Sequence, residues 1–217
     1  MVDWMRGYYA ILDLRAPAGG AGQPHALLAE VERQAEPLLA ARPCCLQLRA
    51  KSLGAAAMRD AGLWLKNRCR AAGVPFCVND RLDVALVVGA DVAHLGQDDL
   101  PLEDARRFAG GRVLIGFSTH NRAQAAAAVA GGADYIGFGP IFDTRSKLRP
   151  DPTVGVEGLR AVAAASPIPV VAIGGITLDT VASVAATGAA AAAVIAAVND
   201  ARDPTAAGRR VAAAFVR

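Results

Sequence analysis

At 217 residues, 53% of them hydrophobic and 20% charged, the chain is long enough for one well-buried core and short for two. A formal net charge of +3, from 23 Lys and Arg against 20 Asp and Glu, excludes recognition of nucleic acid or a membrane surface by bulk charge, so any anion must be held by a local arrangement of side chains. The four cysteines, Cys44, Cys45, Cys69 and Cys77, show no paired C-x-x-C spacing and read as the reduced thiols of a cytoplasmic protein.

The N-terminal stretch carries Asp3, Arg6 and Asp13 around a short apolar run. It lacks the order of a signal peptide, and the mature chain is expected to begin here. From there, short apolar runs alternate with longer Ala- and Leu-rich stretches of helical spacing. In chain order, a strand at Tyr8–Leu12 precedes a helix near 25–36, Cys44–Leu48 one near 53–72, Phe76–Val78 one near 81–88, and Val92–His94 one near 102–109. The second half repeats this: Val113–Gly116 precedes a helix near 120–130, Tyr135–Gly139 one near 156–165, Val170–Ile173 one near 178–187, and Ala191–Ile195 one near 203–215. The uncharged run Val181–Val198 has about the length of a bilayer crossing. Ser183, Thr187 and Gly188 within it instead divide it into a helix end and a buried strand.

Strands apolar on both faces, each followed by a helix, predict parallel pairing with right-handed crossovers. Eight such units average about 27 residues each, near the lower end for a closed barrel. The expected fold is α/β, a single (β/α)8 TIM barrel domain over residues 1–217. An open doubly wound sheet is the alternative, but no G-x-G-x-x-G follows the first strand, because Gly19, Gly20 and Gly22 are spaced otherwise.

In a barrel the chemistry sits where strands end, and here those ends are polar. Gln47, Arg49 and Lys51 alternate at the close of the second strand, so one side of it presents an anion cradle or a solvated basic end. The third and fourth strands deliver Asp80 and Asp99, each a candidate ligand for a hard divalent cation or a cap for the following helix. His94 lies within the fourth strand and reads as a hydrogen-bonded structural histidine. Ser118 and Thr119 close the fifth, where a helix cap accounts for one of them and leaves the other for a ligand. The connection from Ile141 to Pro152, with Thr144, Ser146 and Lys147, exceeds the usual about 2–6 residues and has the length of a lid. Gly174-Gly175 after the seventh strand make a phosphate turn or simply a tight one. Together these ends suit a diphosphate held by Mg2+ and cations, with a second phosphate at the glycine turn. No Ser-His-Asp or Cys-His set is apparent.

These segments resemble the thiamine-phosphate synthase (thiamine-phosphate pyrophosphorylase) family from Tyr8 to Val198. The segments are Gln47-Leu48-Arg49-Ala50-Lys51, Asn79-Asp80-Arg81-Leu82-Asp83, His94 through Asp99, Ile115 through Thr119, Asp134 through Phe142, Thr144 with Lys147, and Ala172 through Ile176. The resemblance implies a (β/α)8 barrel that joins hydroxymethylpyrimidine diphosphate to hydroxyethylthiazole phosphate and releases pyrophosphate. It implies Mg2+ on Asp80 and Asp99, the pyrimidine diphosphate on Gln47, Arg49, Lys51, Asn79, Ser118 and Lys147, and charge stabilisation by Arg49, Lys51 and Lys147. The thiazole phosphate would meet Thr144, Ser146, Gly175, Ile195 and Ala196. Two positions depart from the family: Leu12-Asp13 stands where Thr-Asp is common, and Ile195-Ala196 stands where Val-Ser is common. The second change removes a hydroxyl beside the thiazole phosphate. Alternatives are a thiazole tautomerase of the same superfamily, a non-catalytic sensor of thiamine precursors, or a barrel enzyme acting on a sugar phosphate. None of these needs both the acid pair and the basic segment.

Overall fold

Strands that are apolar on both faces can be satisfied only by a sheet covered on both sides, and here the sheet also closes on itself. The computed structural model describes residues 2, 4–14, 24–144 and 151–216. Its strands are β1 (Gly7–Asp13), β2 (Cys45–Arg49), β3 (Phe76–Asn79), β4 (Val92–Leu95), β5 (Leu114–Thr119), β6 (Tyr135–Phe138), β7 (Val170–Ile173) and β8 (Ala191–Val194). Each pairs in parallel with the next, and β8 returns to β1 with Gly7 beside Ala191 and Ala10 beside Val194. The fold is the closed (β/α)8 TIM barrel that the alternation predicts.

The helices described are α1 (Pro24–Ala40), α2 (Ala55–Ala72), α3 (Leu82–Val88), α4 (Leu102–Ala109), α5 (Arg122–Ala130), α6 (Gly155–Ala165), α7 (Val181–Ala185), α8 (Ala196–Asn199) and α9 (Pro204–Ala213). Local chemistry sets their ends. α2 stops at Gly73, whose left-handed backbone (φ 68°) returns its N–H to the carbonyls of Cys69 and Arg70. α9 starts with Asp203 accepting from the Ala206 N–H at 2.9 Å and with proline in its first turn. α7 is shorter than the expected 178–187, because Thr177 and Thr180 bond each other's backbone, the Thr177 N–H donating to Thr180 Oγ1 at 2.9 Å, and so form a turn ahead of the helix. β5 runs on to Thr119, past the expected end at Gly116.

The core has two compartments. Outward-facing strand residues such as Leu46, Leu48, Phe76, Val78 and Ile115 pack with Leu38, Leu65, Leu159 and Val211 from the helices. Full burial of such a side chain contributes about 1.5–3 kcal/mol. The barrel interior holds Tyr9, Ile11, Cys45, Cys77, Val92, Tyr135, Val171, Ala191 and Ala193. The two-residue period of β1 sends Tyr8 outward and Tyr9 inward, and small alanines on β8 leave room for the phenol rings. The four cysteines are free thiols. Among the described residues, no helix is long and apolar enough to cross a membrane.

Candidate active site

The C-terminal strand ends gather on one face of the barrel, beginning with β1 and β2. Their register sets Asp13 beside Arg49, and the guanidinium donates to the Asp13 carboxylate in an ion pair whose side chains are only 16% and 10% exposed. Lys51, two residues further on and 57% exposed, brings Nζ within 3.7 Å of Asp80 Oδ2. Gln47 departs from the rim cradle read from the sequence. It is buried, its Nε2 donates to Tyr9 Oη at 3.0 Å, and it lies in the barrel interior one layer beneath Arg49.

β3 ends in the nearly buried Asn79. The next residue, Asp80, takes a left-handed backbone (φ 64°) that few non-glycine residues adopt, and its N–H donates to the His94 carbonyl at 2.8 Å. Neither aspartate caps a helix: the residues capping α3 and α4 are Arg81 and Pro101, and neither helix has a side-chain cap. Asp99 instead accepts the Gly96 N–H on Oδ2 at 2.7 Å. Burial and then the Asp99 charge push the Asp80 carboxyl above its ordinary value, while Lys51 and Arg49 oppose the shift. Two carboxylates in contact repel unless a proton or a cation lies between them. An oxygen-only pair suits Mg2+, which takes one or two carboxylates and completes its shell with water and phosphate oxygens.

On β5, Ser118 Oγ lies 2.9 Å from His94 Nε2, and the Gln97 amide donates to the Ser118 carbonyl at 2.6 Å. The expected cap is not found on Ser118 or Thr119. Asn121 caps α5 by accepting the Gln124 N–H at 2.9 Å, because the longer β5 keeps both residues in the ladder. Thr119 is buried and donates to the Gly137 carbonyl at 3.0 Å, whereas Ser118 is half-buried.

After β6, Ile141 and Phe142 donate their N–H groups to the carbonyls of Ile173 and Gly174, each at 3.0 Å. This brings their backbone so close that a Cβ at Gly175 would fall 2.4 Å from the Asp143 carbonyl oxygen. Close approach alone therefore requires glycine here. Thr144 is half-buried at the end of this segment, and Ser146 and Lys147 lie outside the described residues. Ile195 is half-buried, and Ala196 opens α8 exposed to solvent.

Arg49, Lys51, Asp80 and Asp99 thus meet across β2, β3 and β4, with Asn79 and Ser118 on neighbouring strand ends and Gly175 and Ala196 on the far side of the ring. Two features were not read from the sequence. The Asp13–Arg49 pair depends on inter-strand register, which no local pattern encodes. The interior polar chain of Tyr9, Gln47, Tyr135 and His94 was visible only as tyrosines at inward positions of apolar strands.

The sequence profile of a family described as thiamine monophosphate synthase matches residues 22–198. A thiamine-phosphate synthase of Anaeromyxobacter dehalogenans (strain 2CP-C) is 53% identical over 138 residues, 64% of this chain and 62% of that protein. One of Methanoregula boonei (strain DSM 21154 / JCM 14090 / 6A8) is 47% identical over 190 residues, 88% of this chain and 85% of that one. Among solved structures, the thiamine phosphate pyrophosphorylase from Pyrococcus furiosus superposes with a TM-score of 0.82 at 31% identity, covering 99% of this chain and 98% of its own.

Proposed function

The chain belongs to the thiamine monophosphate synthase family, and from that membership we propose that it is a transferase joining hydroxymethylpyrimidine diphosphate to hydroxyethylthiazole phosphate. The products are thiamine phosphate and pyrophosphate. The observation that carries this reading is the Asp80–Asp99 pair beside Lys51 and Arg49, a set suited to a diphosphate with its cation and superfluous for a thiazole phosphate alone. That distinction disfavours the tautomerase reading.

In the reaction, the bond from the pyrimidine methylene carbon to the diphosphate oxygen breaks and its electron pair leaves with pyrophosphate. The thiazole nitrogen lone pair forms the new carbon–nitrogen bond, so no protein base has to remove a proton. The task of the protein is to meet the departing charge and align the two partners. Lys51 is exposed and free to turn toward a diphosphate, whereas Arg49 is held by Asp13 at a fixed place on the rim. Lys147 adds a third cation on the strength of the family resemblance. Asp80 and Asp99 would hold Mg2+, which when bound supplies charge neutralisation at the diphosphate. Gln47, Asn79 and Ser118 bind the pyrimidine end. Thr144, Ser146, Gly175, Ile195 and Ala196 receive the thiazole phosphate.

The deciding experiment is incubation with both substrates and Mg2+, followed by detection of thiamine phosphate. Asp80→Ala and Asp99→Ala are each expected to lower turnover at least ~100-fold, and EDTA is expected to abolish it. Full activity of a folded protein in EDTA would overturn the metal assignment, and no product with either metal or thiazole varied would overturn the synthase reading.

A further inference from the structure

A chain of hydrogen bonds crosses the barrel interior from Gln47 to Ser118. Gln47 Nε2 lies 3.0 Å from Tyr9 Oη, Tyr9 Oη lies 2.9 Å from Tyr135 Oη, Tyr135 Oη lies 2.8 Å from His94 Nδ1, and His94 Nε2 lies 2.9 Å from Ser118 Oγ. Both nitrogens of the imidazole are therefore engaged by hydroxyls. The space for this arrangement comes from two glycines. A Cβ on Gly116 would stand 2.1 Å from Tyr135 Cζ, and one on Gly137 would stand 3.1 Å from His94 Cε1. The Tyr135 ring lies against the bare backbone of β5, and the imidazole lies against that of β6.

The chain has a direction. An amide N–H can only donate, so the Tyr9 oxygen accepts from Gln47 and the single Tyr9 proton must go elsewhere. Its alternative acceptor, the Cys77 sulfur, is a weak one already approached by the Gln47 amide at 3.7 Å, which leaves the Tyr135 oxygen. Burial holds both phenols well above their ordinary pKa, so each keeps a proton to pass along. Tyr135 has the same Cys77 sulfur as its weaker acceptor and the imidazole nitrogen, 2.8 Å away, as its stronger one, so it donates to His94 Nδ1. A neutral imidazole that accepts at Nδ1 carries its proton on Nε2 and donates to Ser118 Oγ, and the Ser118 hydrogen is left to point into the site.

We propose that His94 is a positioning residue, held as the neutral Nε2–H tautomer between Tyr135 and Ser118, and that it makes the Ser118 hydroxyl a hydrogen-bond donor aimed at an acceptor on the pyrimidine substrate. The tautomer follows from the network alone, and only the identity of the acceptor rests on the synthase reading. A pyrimidine ring nitrogen is an acceptor of the required kind, and a hydroxyl fixed as a donor selects it over an N–H or ammonium edge.

Two measurements test this. In the ligand-free 15N-labelled protein above neutral pH, long-range 1H–15N correlation is expected to show His94 as the Nε2–H tautomer, and Tyr135→Phe is expected to shift it toward a mixture by removing the donor at Nδ1. In steady-state kinetics, His94→Phe is expected to raise the KM for the pyrimidine diphosphate about tenfold with the thiazole KM unmoved. His94→Gln, whose amide N–H can reach the Ser118 oxygen, is expected to restore most of the loss. An Nδ1–H tautomer, a spectrum unchanged by Tyr135→Phe in a folded protein, or a His94→Gln no better than His94→Phe would overturn the proposal. An inactive protein showing the Nε2–H signature would overturn the synthase reading and leave the tautomer assignment standing.

Discussion

Asp80 sets the electrostatic balance of the rim, and its effect on stability has a definite sign. Burial and the Asp99 charge raise its carboxyl above the ordinary value, so the folded chain binds that proton more tightly than the unfolded one. Its stabilising contribution is complete below the unfolded-state value and is lost as pH rises through the raised folded value. Asp99→Asn retains an oxygen for the Gly96 N–H and removes the repulsion. It is expected to raise the melting temperature at neutral pH in chelator by about 2 °C or more, with the margin closing toward acid; calorimetry at several pH values checks both the sign and the closing. Tyr8 offers a second test, because its buried hydroxyl has no partner among the described residues. Tyr8→Phe is expected to raise the melting temperature by about 2–4 °C, and a fall would mean that the hydroxyl is satisfied in solution. At this scale the sequence exposed Asp80 and Asp99, because an acid closing an apolar run invites a question that has few answers. It concealed the Asp13–Arg49 pair, in which each residue is unremarkable until strand register joins them.

The same substitution has opposite consequences on two helices. In α6, a Cβ at Gly158 would meet only Val154 Cβ, at an ordinary 3.5 Å, so Gly158→Ala gains helix propensity of up to about 1 kcal/mol. In α9, a Cβ at Gly208 would stand 2.7 Å from Ala41 Cβ and 2.8 Å from Tyr8 Cε1, neither of which can swing away, so Gly208→Ala costs about 1–3 kcal/mol. Parallel thermal melts are expected to move apart, and two shifts of the same sign would refute the contact argument. At the end of β8, the exposed Ala196 has room for an oxygen. A hydroxyl there donating to phosphate is expected to lower the thiazole phosphate KM of Ala196→Ser about 10-fold or more without changing that for the pyrimidine diphosphate. The strands themselves were legible to within a few residues, since burial on both faces leaves a continuous apolar run. α8 was not, because four residues are too few to establish a helical period. The polar letters of Ser118 and Thr119 hid the end of β5, although pairing with Gly137 and Phe138 makes them strand.

Closure through β1 and β8 leaves the barrel no edge, and the free thiols report on its opening as a whole. Burial pushes Cys44 and Cys69 up to about 12, so thiolate is scarce there. Cys77, raised by burial but lowered on balance by hydrogen bonding with Cys45, Tyr9 and Gln47, is shielded from a reagent by its complete burial in the barrel interior. A thiol reagent is expected to label the native protein only slowly at mildly alkaline pH and to find all four cysteines in denaturant; rapid native labelling would show that part of the barrel opens separately. The closed fold was readable from eight repeats of one pattern. Which inward side chains touch across it was not, because a contact between Tyr9 and Tyr135, 126 positions apart, exists only once the ring is closed. The overlap between Gly116 and Tyr135 carries that closure into the history open to the chain. Any side chain larger than hydrogen at position 116 collides with the phenol, while a smaller residue at 135 with glycine retained leaves only a void. Mutational drift through this pair must therefore run in one order, shrinking position 135 before enlarging position 116, and the reverse order passes through an intermediate that cannot be packed.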